Sequence, residues 1–160
     1  MFSVTYGKGI RFITFIFFVI LIGLPSWILI SISQLSQSRE AIIVVIPVVI
    51  FITSLYFTVT GFELKKTEFV IRRIGKNISI PLNQIVSAEF VPKAIRGSFR
   101  IFGIGGVFGY YGSFSNSIVG DYTAYATNNE NTVVIKLKLE TIVVTPNSPQ
   151  EFVFKIKKYI

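Results

Sequence analysis

The chain has 160 residues, a net charge of +8 and neither cysteine nor histidine. Disulfides, thiolate nucleophiles, cysteine–histidine metal sites and a histidine general base are therefore excluded. Hydrophobic residues make up 51% of the chain, which is high for a soluble protein, and the excess lies in the first 60 residues. The composition predicts an apolar N-terminal part followed by one modest domain.

Two apolar runs without a charged residue dominate the N-terminal part, Phe12–Ile32 and Ala41–Thr60, and only Ser33–Glu40 separates them. At about 1.5 Å per residue, each run is long enough as a helix to cross the ~30 Å hydrocarbon layer of a membrane. We therefore predict a transmembrane helical hairpin in residues 1–60 and a separate domain in residues 61–160. The first run is longer than a secretory signal core, so a cleaved signal is the less favoured alternative.

Basic residues flank the predicted hairpin on one side. Lys8 and Arg11 precede the first run, whereas the connection contains only Arg39, next to Glu40. Five basic residues follow the second run: Lys65, Lys66, Arg72, Arg73 and Lys76. The positive-inside rule then predicts a multi-pass membrane protein with both termini and the C-terminal domain in the cytoplasm.

Short alternating runs replace the long apolar ones after residue 62. Phe69–Arg73 and Ile78–Leu82 flank a segment in which Gly75 and Asn77 favour a turn, so a β-hairpin is predicted. Pro81 places the second strand at a sheet edge or a strand end. Further strands are predicted at Ile85–Phe90, Tyr122–Thr127, Thr132–Leu139 and Ile142–Thr145.

The C-terminal residues predict an amphipathic helix. Ser148 and Glu151 have the spacing of a capping box, and Pro149 suits the first helical position. One apolar stripe follows at helical spacing: Phe152, Ile156, Tyr159 and Ile160. Several strands followed by one helix predict a small β-sandwich or partly open barrel capped by that helix.

A segment rich in glycine and aromatic residues occupies positions 100–114, with the sequence Arg-Ile-Phe-Gly-Ile-Gly-Gly-Val-Phe-Gly-Tyr-Tyr-Gly-Ser-Phe. It resembles the signature of membrane-associated bacterial PH-like (pleckstrin-homology-like) domains. Tyr125–Asn128 and Thr145–Phe152 follow in the order of that family, and Leu64–Arg72 and Ile80–Ile85 resemble its first strands. The resemblance covers about residues 62–152. It implies a seven-stranded β-fold closed by a C-terminal helix, and it supplies no catalytic or ligand residues.

The first candidate site is a basic surface that contacts anionic lipid headgroups. Its residues are Lys65, Lys66, Arg72, Arg73 and Lys76. In eukaryotic PH domains the first hairpin meets inositol phosphates, and the resemblance extends that role to this hairpin. The alternative is that these charges only fix the topology and attract the anionic leaflet, at about 1 kcal/mol per residue.

The second candidate site is a loop that contacts a partner or the membrane interface. Its residues are Gly105, Gly106, Phe108, Gly109, Tyr110 and Tyr111. The favoured alternative is structural: the glycines let the chain cross the β-barrel and the aromatic rings fill its core. The segment lacks a Gly-Lys-Ser/Thr motif, so we predict no nucleotide site.

The acidic residues stand singly, and no pair suited to acid–base catalysis is visible. We therefore expect a binding module without enzymatic activity, cofactor or metal. The expected partners are the lipid bilayer and another membrane protein or a second copy of the chain, and not nucleic acid. The alternative is a small transport or channel subunit in which the hairpin is the active part, although both runs lack the ionisable residues that mark ion paths.

Overall fold

The computed structural model describes residues 1–31 and 37–160. Two long helices follow the N-terminus, α1 at Lys8–Ser31 and α2 at Gln37–Phe57. Helix α1 begins four residues before the predicted run Phe12–Ile32, and the Arg11 amide donates to the Gly7 carbonyl over 3.0 Å at its start. Residues 32–36 lie outside the described residues, and with them the first part of the predicted connection Ser33–Glu40.

The second apolar run divides between a helix and a strand. Strand β2, Val59–Leu64, begins two residues after α2 ends, so the helical prediction for the end of Ala41–Thr60 is wrong. Val59 pairs with Arg73 in a sheet, and the Ile74 amide donates to the Thr58 carbonyl over 3.0 Å. These sheet contacts replace the next helical hydrogen bonds, and β-branched residues favour the extended conformation.

One apolar stretch, Lys8–Trp27, is long and apolar enough to cross a membrane by length and composition. Only 6% of this stretch is buried, unlike a core helix of a soluble protein. In α2 the stretch that meets the same apolar criterion is shorter, Val45–Phe57. Among the described residues there is thus one candidate span where the sequence predicts two.

A four-stranded antiparallel sheet opens the β domain, in the order β1-β2-β3-β4. Its other strands are β1, Phe2–Ser3, β3, Glu68–Arg73, and β4, Ile78–Pro81. The predicted hairpin is confirmed: the Asn77 side chain accepts a hydrogen bond from the Arg73 amide over 3.1 Å. Pro81 ends the edge strand β4, as its missing amide donor requires.

A six-stranded sheet faces the first, in the order β5-β9-β10-β8-β7-β6. Its strands are β5, Ile85–Phe90, β6, Phe99–Gly105, β7, Tyr110–Asn116, β8, Gly120–Ala126, β9, Val133–Leu137, and β10, Thr141–Val144. Only the β8–β10 pair is parallel. Residues 59–144, which are described without a gap, therefore hold nine strands where the resemblance implies seven.

Strands β6 and β7 come largely from the glycine-rich segment, for which the sequence predicts no strand. Gly103 and Gly112 face each other across this hairpin. A Cβ atom on Gly103 would lie 2.1 Å from the Tyr111 carbonyl oxygen, and its φ is +115°. The glycines therefore allow two backbones to approach closely, and they also remove the alternation by which a strand is recognised.

Aromatic rings form the centre of the core between the two sheets. The rings of Phe62, Phe69 and Phe152 are fully buried, and Phe152 brings helix α3, Pro149–Ile156, against the sheets. Phe2 joins them, with its ring centroid 5.1 Å from that of Phe152. Residues 1–7 thus pack with the β domain. The predicted division at residue 60 had grouped them with the helices.

Hydrogen bonds fix the same N-terminal segment along its length. The Asn147 amide donates to the Ser3 carbonyl over 3.1 Å, and the Gly7 amide donates to the Thr127 carbonyl over 2.9 Å. The Thr127 hydroxyl donates to the Thr5 carbonyl over 3.0 Å. Helix α1 therefore leaves the β domain from a defined position and direction.

Helix α3 begins at Pro149 as predicted, but the predicted capping box is not formed. Ser148 makes no side-chain hydrogen bond at the helix start, and Glu151 pairs with Lys155 over 2.7 Å instead. Because the helix ends at Ile156, the apolar stripe stops there. Tyr159 and Ile160 remain 50% and 47% exposed.

The aromatic centre of the core gives a direct test. Replacing Phe152 by alanine removes the ring that contacts Phe2, Phe62 and Phe69, and we expect a loss of about 3–5 kcal/mol in the free energy of unfolding. Unfolding of the full chain in detergent, followed by near-UV circular dichroism, measures it. Phe154→Ala in the same helix is the control; its ring is 61% exposed, so a loss of less than about 1 kcal/mol is expected. Equal losses in both variants would contradict this core.

Candidate functional site at the junction of the helices and the β domain

The junction between α2 and β2 is built around the backbone of Val59, which is fully buried. The Tyr6 hydroxyl donates to the Val59 carbonyl over 3.0 Å. The Val59 amide donates to the Tyr111 hydroxyl over 3.4 Å, and that hydroxyl donates to the Phe108 carbonyl. Both polar groups of this residue are thus satisfied by side chains from distant parts of the sequence.

Burial also fixes the protonation state of these tyrosines. It raises the pKa of both Tyr6 and Tyr111 above the usual value, because an anionic phenolate is poorly solvated there. A neutral hydroxyl can donate one hydrogen bond and accept another. Tyr111 uses both capacities at once, so it connects the helix end to the glycine-rich loop.

The tip of the β6–β7 hairpin lies against both helices. The Phe108 amide donates to the Thr14 hydroxyl of α1 over 3.0 Å. The Phe108 ring centroid lies 6.1 Å from that of Phe18 and 6.2 Å from that of Phe51. Phe51 is six residues before the end of α2, which places the tip about 9 Å along that helix from its end.

Two positions in the tip require glycine. Gly106 has φ +104°, and a Cβ atom there would lie 3.2 Å from the side chain of Ile13 on α1. Gly109 has φ +147°, and its Cβ would lie 2.4 Å from the Tyr111 hydroxyl and 2.6 Å from the Ala126 carbonyl oxygen. Larger residues at either position would push the tip away from the helices or strain the backbone.

The predicted loop residues therefore come together, at the junction. Gly106, Gly109 and Tyr111 are buried, Phe108 and Tyr110 are half-buried, and Gly105 is exposed. Tyr111 belongs to the core between the sheets, whereas Phe108 packs against α1 and α2 of the same chain. A contact of this loop with a partner or with lipid stays a prediction.

The predicted basic residues do not form one cluster. Arg73 and Lys76 lie beside the end of α2, where the Gly75 amide donates to the Tyr56 carbonyl over 3.0 Å. The Arg73 guanidinium lies 5.7 Å from the centroid of the Phe57 ring and donates to the Lys76 carbonyl over 2.8 Å. The turn between β3 and β4 thus places two positive charges next to the helices.

The other predicted cations lie elsewhere or are paired. Lys65 and Lys66 occupy the turn at the far end of β2 and β3, about 20 Å away at ~3.3 Å per residue. Lys65 pairs there with Glu68 over 2.5 Å. Arg72 donates to Glu63 over 2.8 and 2.5 Å, and its guanidinium holds the pKa of that carboxyl below the usual value.

A crevice of about 390 Å³ opens between the end of α2 and strands β6, β7 and β8. Its side-chain lining is mainly aromatic and aliphatic: Thr53, Phe57, Arg73, Phe102, Ile104, Tyr111 and Tyr125. Sequence reasoning did not find Thr53 or Phe57. The sequence did contain a pattern that could have indicated them, because an aromatic helix end followed by basic residues is typical of a membrane interface.

Strand β6 forms one edge of the six-stranded sheet, and its side chains are unusually exposed. Phe99, Ile101 and Phe102 are 68%, 56% and 78% exposed. An edge strand presents unpaired backbone groups, and exposed apolar side chains in such a strand mark an interaction surface. Sequence reasoning singled out the loop after this strand and not the strand itself.

A family model for the bacterial PH domain matches residues 60–160. The chain belongs to the bacterial PH domain family. The predicted resemblance to bacterial PH-like domains is thereby confirmed, and residues 60–160 form a PH-like all-β domain closed by a C-terminal helix. Comparison with curated proteins and with solved structures gave no match. PH domains are generally non-catalytic binding modules.

Within residues 1–31 and 37–160, no group of histidine, cysteine, aspartate or glutamate side chains is arranged to hold a metal ion. The features that converge at the junction are instead a half-buried aromatic loop, a cationic turn and an apolar crevice. These features suit recognition of another surface or of an amphiphile. We therefore take this end of the PH domain as the candidate binding site.

Removal of the Tyr111 hydroxyl from the junction is expected to lower the stability of the fold. Tyr111→Phe removes the acceptor of the Val59 amide and the donor to the Phe108 carbonyl, so we expect a loss of about 1–3 kcal/mol in the free energy of unfolding. Unfolding of the full chain in detergent measures this loss. Tyr110→Phe is the same change one position away, on a hydroxyl that makes no hydrogen bond to the described residues, and should leave stability nearly unchanged. If both variants matched the parent protein, Tyr111 would not hold the junction.

Proposed function

We propose that this protein is a membrane-anchored PH-domain module at the cytoplasmic face of the bacterial inner membrane. In this proposal α1 and α2 form a hairpin that crosses the membrane, and both termini and the PH domain lie in the cytoplasm. The module works by binding a protein partner, with anionic lipid as a secondary contact.

The uncovered apolar surface of α1 carries this proposal. Phe12, Phe15 and Trp27 are 64%, 65% and 67% exposed, in a stretch of which only 6% is buried. An apolar surface of this extent is rare on soluble proteins and is expected where lipid covers it. The 20 residues of Lys8–Trp27 would span about 30 Å.

The length of α2 and the charge distribution support a second crossing. Its uncharged part, residues 41–57, has 17 residues and corresponds to about 26 Å, the short end of the range for a membrane-spanning helix. Lys8 and Arg11 at the start of α1 and Arg73 and Lys76 beside the end of α2 lie at the same end of the hairpin. The positive-inside rule assigns that end to the cytoplasm.

The N-terminal strand argues against a cleaved signal. Phe2 is 8% exposed and packs on Phe152, and its strand pairs with β2. Cleavage after α1 would remove this strand and the Tyr6 hydroxyl from the junction. Retention of α1 keeps the core of the PH domain complete.

The exposed edge of β6 is the surface that we propose for the protein partner. It lies next to the hairpin tip that packs on α1 and α2, so a partner seated there would lie close to the membrane. Either another membrane protein or a second copy of this chain fits that position. The loop at Gly105–Tyr111 then acts mainly by fixing the orientation of β6.

The proposed topology can be measured by cysteine labelling, because the natural chain has no cysteine. In intact spheroplasts, an impermeant maleimide should label Ser38→Cys and should not label Lys138→Cys. In inverted membrane vesicles the pattern should reverse. The parent chain is the blank, and carbonate extraction should leave all variants in the membrane. Labelling of Lys138→Cys in intact spheroplasts, or recovery in the soluble fraction, would contradict the proposal.

The proposed partner surface can be tested by photo-cross-linking in cells. A photoreactive phenylalanine at Ile101 of β6 should give an adduct of discrete mass, twice the chain mass for a second copy and another mass for a different membrane protein. The matched control is Val86, which is 60% exposed on β5 at the opposite edge of the same sheet. Absence of an adduct at Ile101, or the same adducts at both positions, would reject this surface.

A further inference from the structure

The crevice beside α2 has an unusual combination of position and lining. It lies between the helix face that carries Thr53 and Phe57 and strands β6, β7 and β8 of the PH domain. Thr53 and Phe57 are four residues apart, one helical turn, at the end of the helix where the β domain begins. This inference rests on the proposed function: if α2 crosses the membrane, the crevice at its end lies at the level of the lipid headgroups and the adjoining part of the acyl chains.

Among the described residues that line the crevice, Arg73 is the only charged one. Its guanidinium is oriented by the Phe57 ring, at 5.7 Å, and by one hydrogen bond to the Lys76 carbonyl. In the described part of the chain it takes part in no ion pair, whereas the neighbouring Arg72 is paired with Glu63. A guanidinium has five donors, and the hydrogen bond to the Lys76 carbonyl uses one of them.

We propose that this crevice binds one anionic phospholipid. One acyl chain lies along Phe102 and Ile104, and the phosphate contacts the guanidinium of Arg73. The volume of about 390 Å³ falls in the range of small-ligand sites, which are mostly apolar with a few placed polar groups. A planar guanidinium matches the geometry of a phosphate, and Lys76 in the same turn adds a second positive charge.

The charge at the mouth of the crevice is the first part of the test. The full chain is purified in detergent, titrated with phosphatidylglycerol, and the bound lipids are counted by native mass spectrometry. Arg73→Gln should weaken binding about ten- to hundredfold, the usual effect of losing a hydrogen bond to a charged group. Lys136→Gln removes the same charge from an exposed position on β9, outside the crevice lining, and should bind like the parent chain.

The apolar part of the crevice is tested without a change of charge. Thr53→Trp places a large ring in the crevice, and the wild-type side chain bonds only within its own helix, to the Val49 carbonyl. This variant should lose the single tightly bound lipid. Ile52→Trp, at the adjacent position that is 60% exposed and outside the lining, should retain it.

Three probes separate the ligand classes. Phosphatidylglycerol should bind, phosphatidylcholine with the same acyl chains should bind at least about tenfold more weakly, and inorganic phosphate should not compete at equal concentration. Parent-like binding by either Arg73→Gln or Thr53→Trp, or an equal loss in Lys136→Gln, would overturn the proposal. Near-UV circular dichroism of each variant shows that a loss is not a loss of fold.

The lipid count is independent of membrane orientation and of the protein partner, because it is made in detergent. Selective binding by a chain whose labelling pattern is reversed would leave the crevice proposal standing and remove the proposed topology. The expected labelling pattern without selective lipid binding would leave the proposed topology standing and remove the crevice proposal. The failure of either proposal is therefore recognised separately.

Discussion

The rest of the structure depends on how the chain leaves a helix and enters a sheet at Val59. The buried backbone of a residue at this change of conformation has lost its helical partners and has not yet gained all its sheet partners, so its N–H and its C=O both need hydrogen bonds. At Val59, Tyr6 supplies the donor for the C=O and Tyr111 the acceptor for the N–H. Because these tyrosines come from the segment before α1 and from β7, the backbone of one residue ties both helices to the six-stranded sheet.

This arrangement leaves no linker between the helices and the PH domain. Only Thr58 separates α2 from β2, and it is buried, with its hydroxyl bonded to the Ser54 carbonyl over 3.1 Å. A flexible tether would leave the domain free to reorient, at an entropic cost to any binding that needs one orientation. Here the direction of α2 fixes which edge of the domain lies beside the helices, and that edge contains β6.

The sequence was informative wherever a local rule determined the structure. Gly75 and Asn77 predicted the β3–β4 hairpin, and Pro149 predicted the start of α3. The β6–β7 hairpin was missed because its glycines, which allow the two backbones to approach, also interrupt the alternating pattern. Phe2 was missed for a different reason: two residues carry no periodicity, and its partner Phe62 is sixty positions away.

The charged residues show the same limit of prediction from sequence, and the alternation of side chains along β3 explains it. Residues 72 and 73 are both arginine, and in the sequence they contribute equally to a basic cluster. Successive side chains of a strand point to opposite faces, so Arg73 shares the face of the buried Ile71 and extends that face beyond the core to the crevice. Arg72 points to the other face and is neutralised by Glu63. What this surface can bind is therefore set by which face each cation occupies, more than by the net charge of the domain.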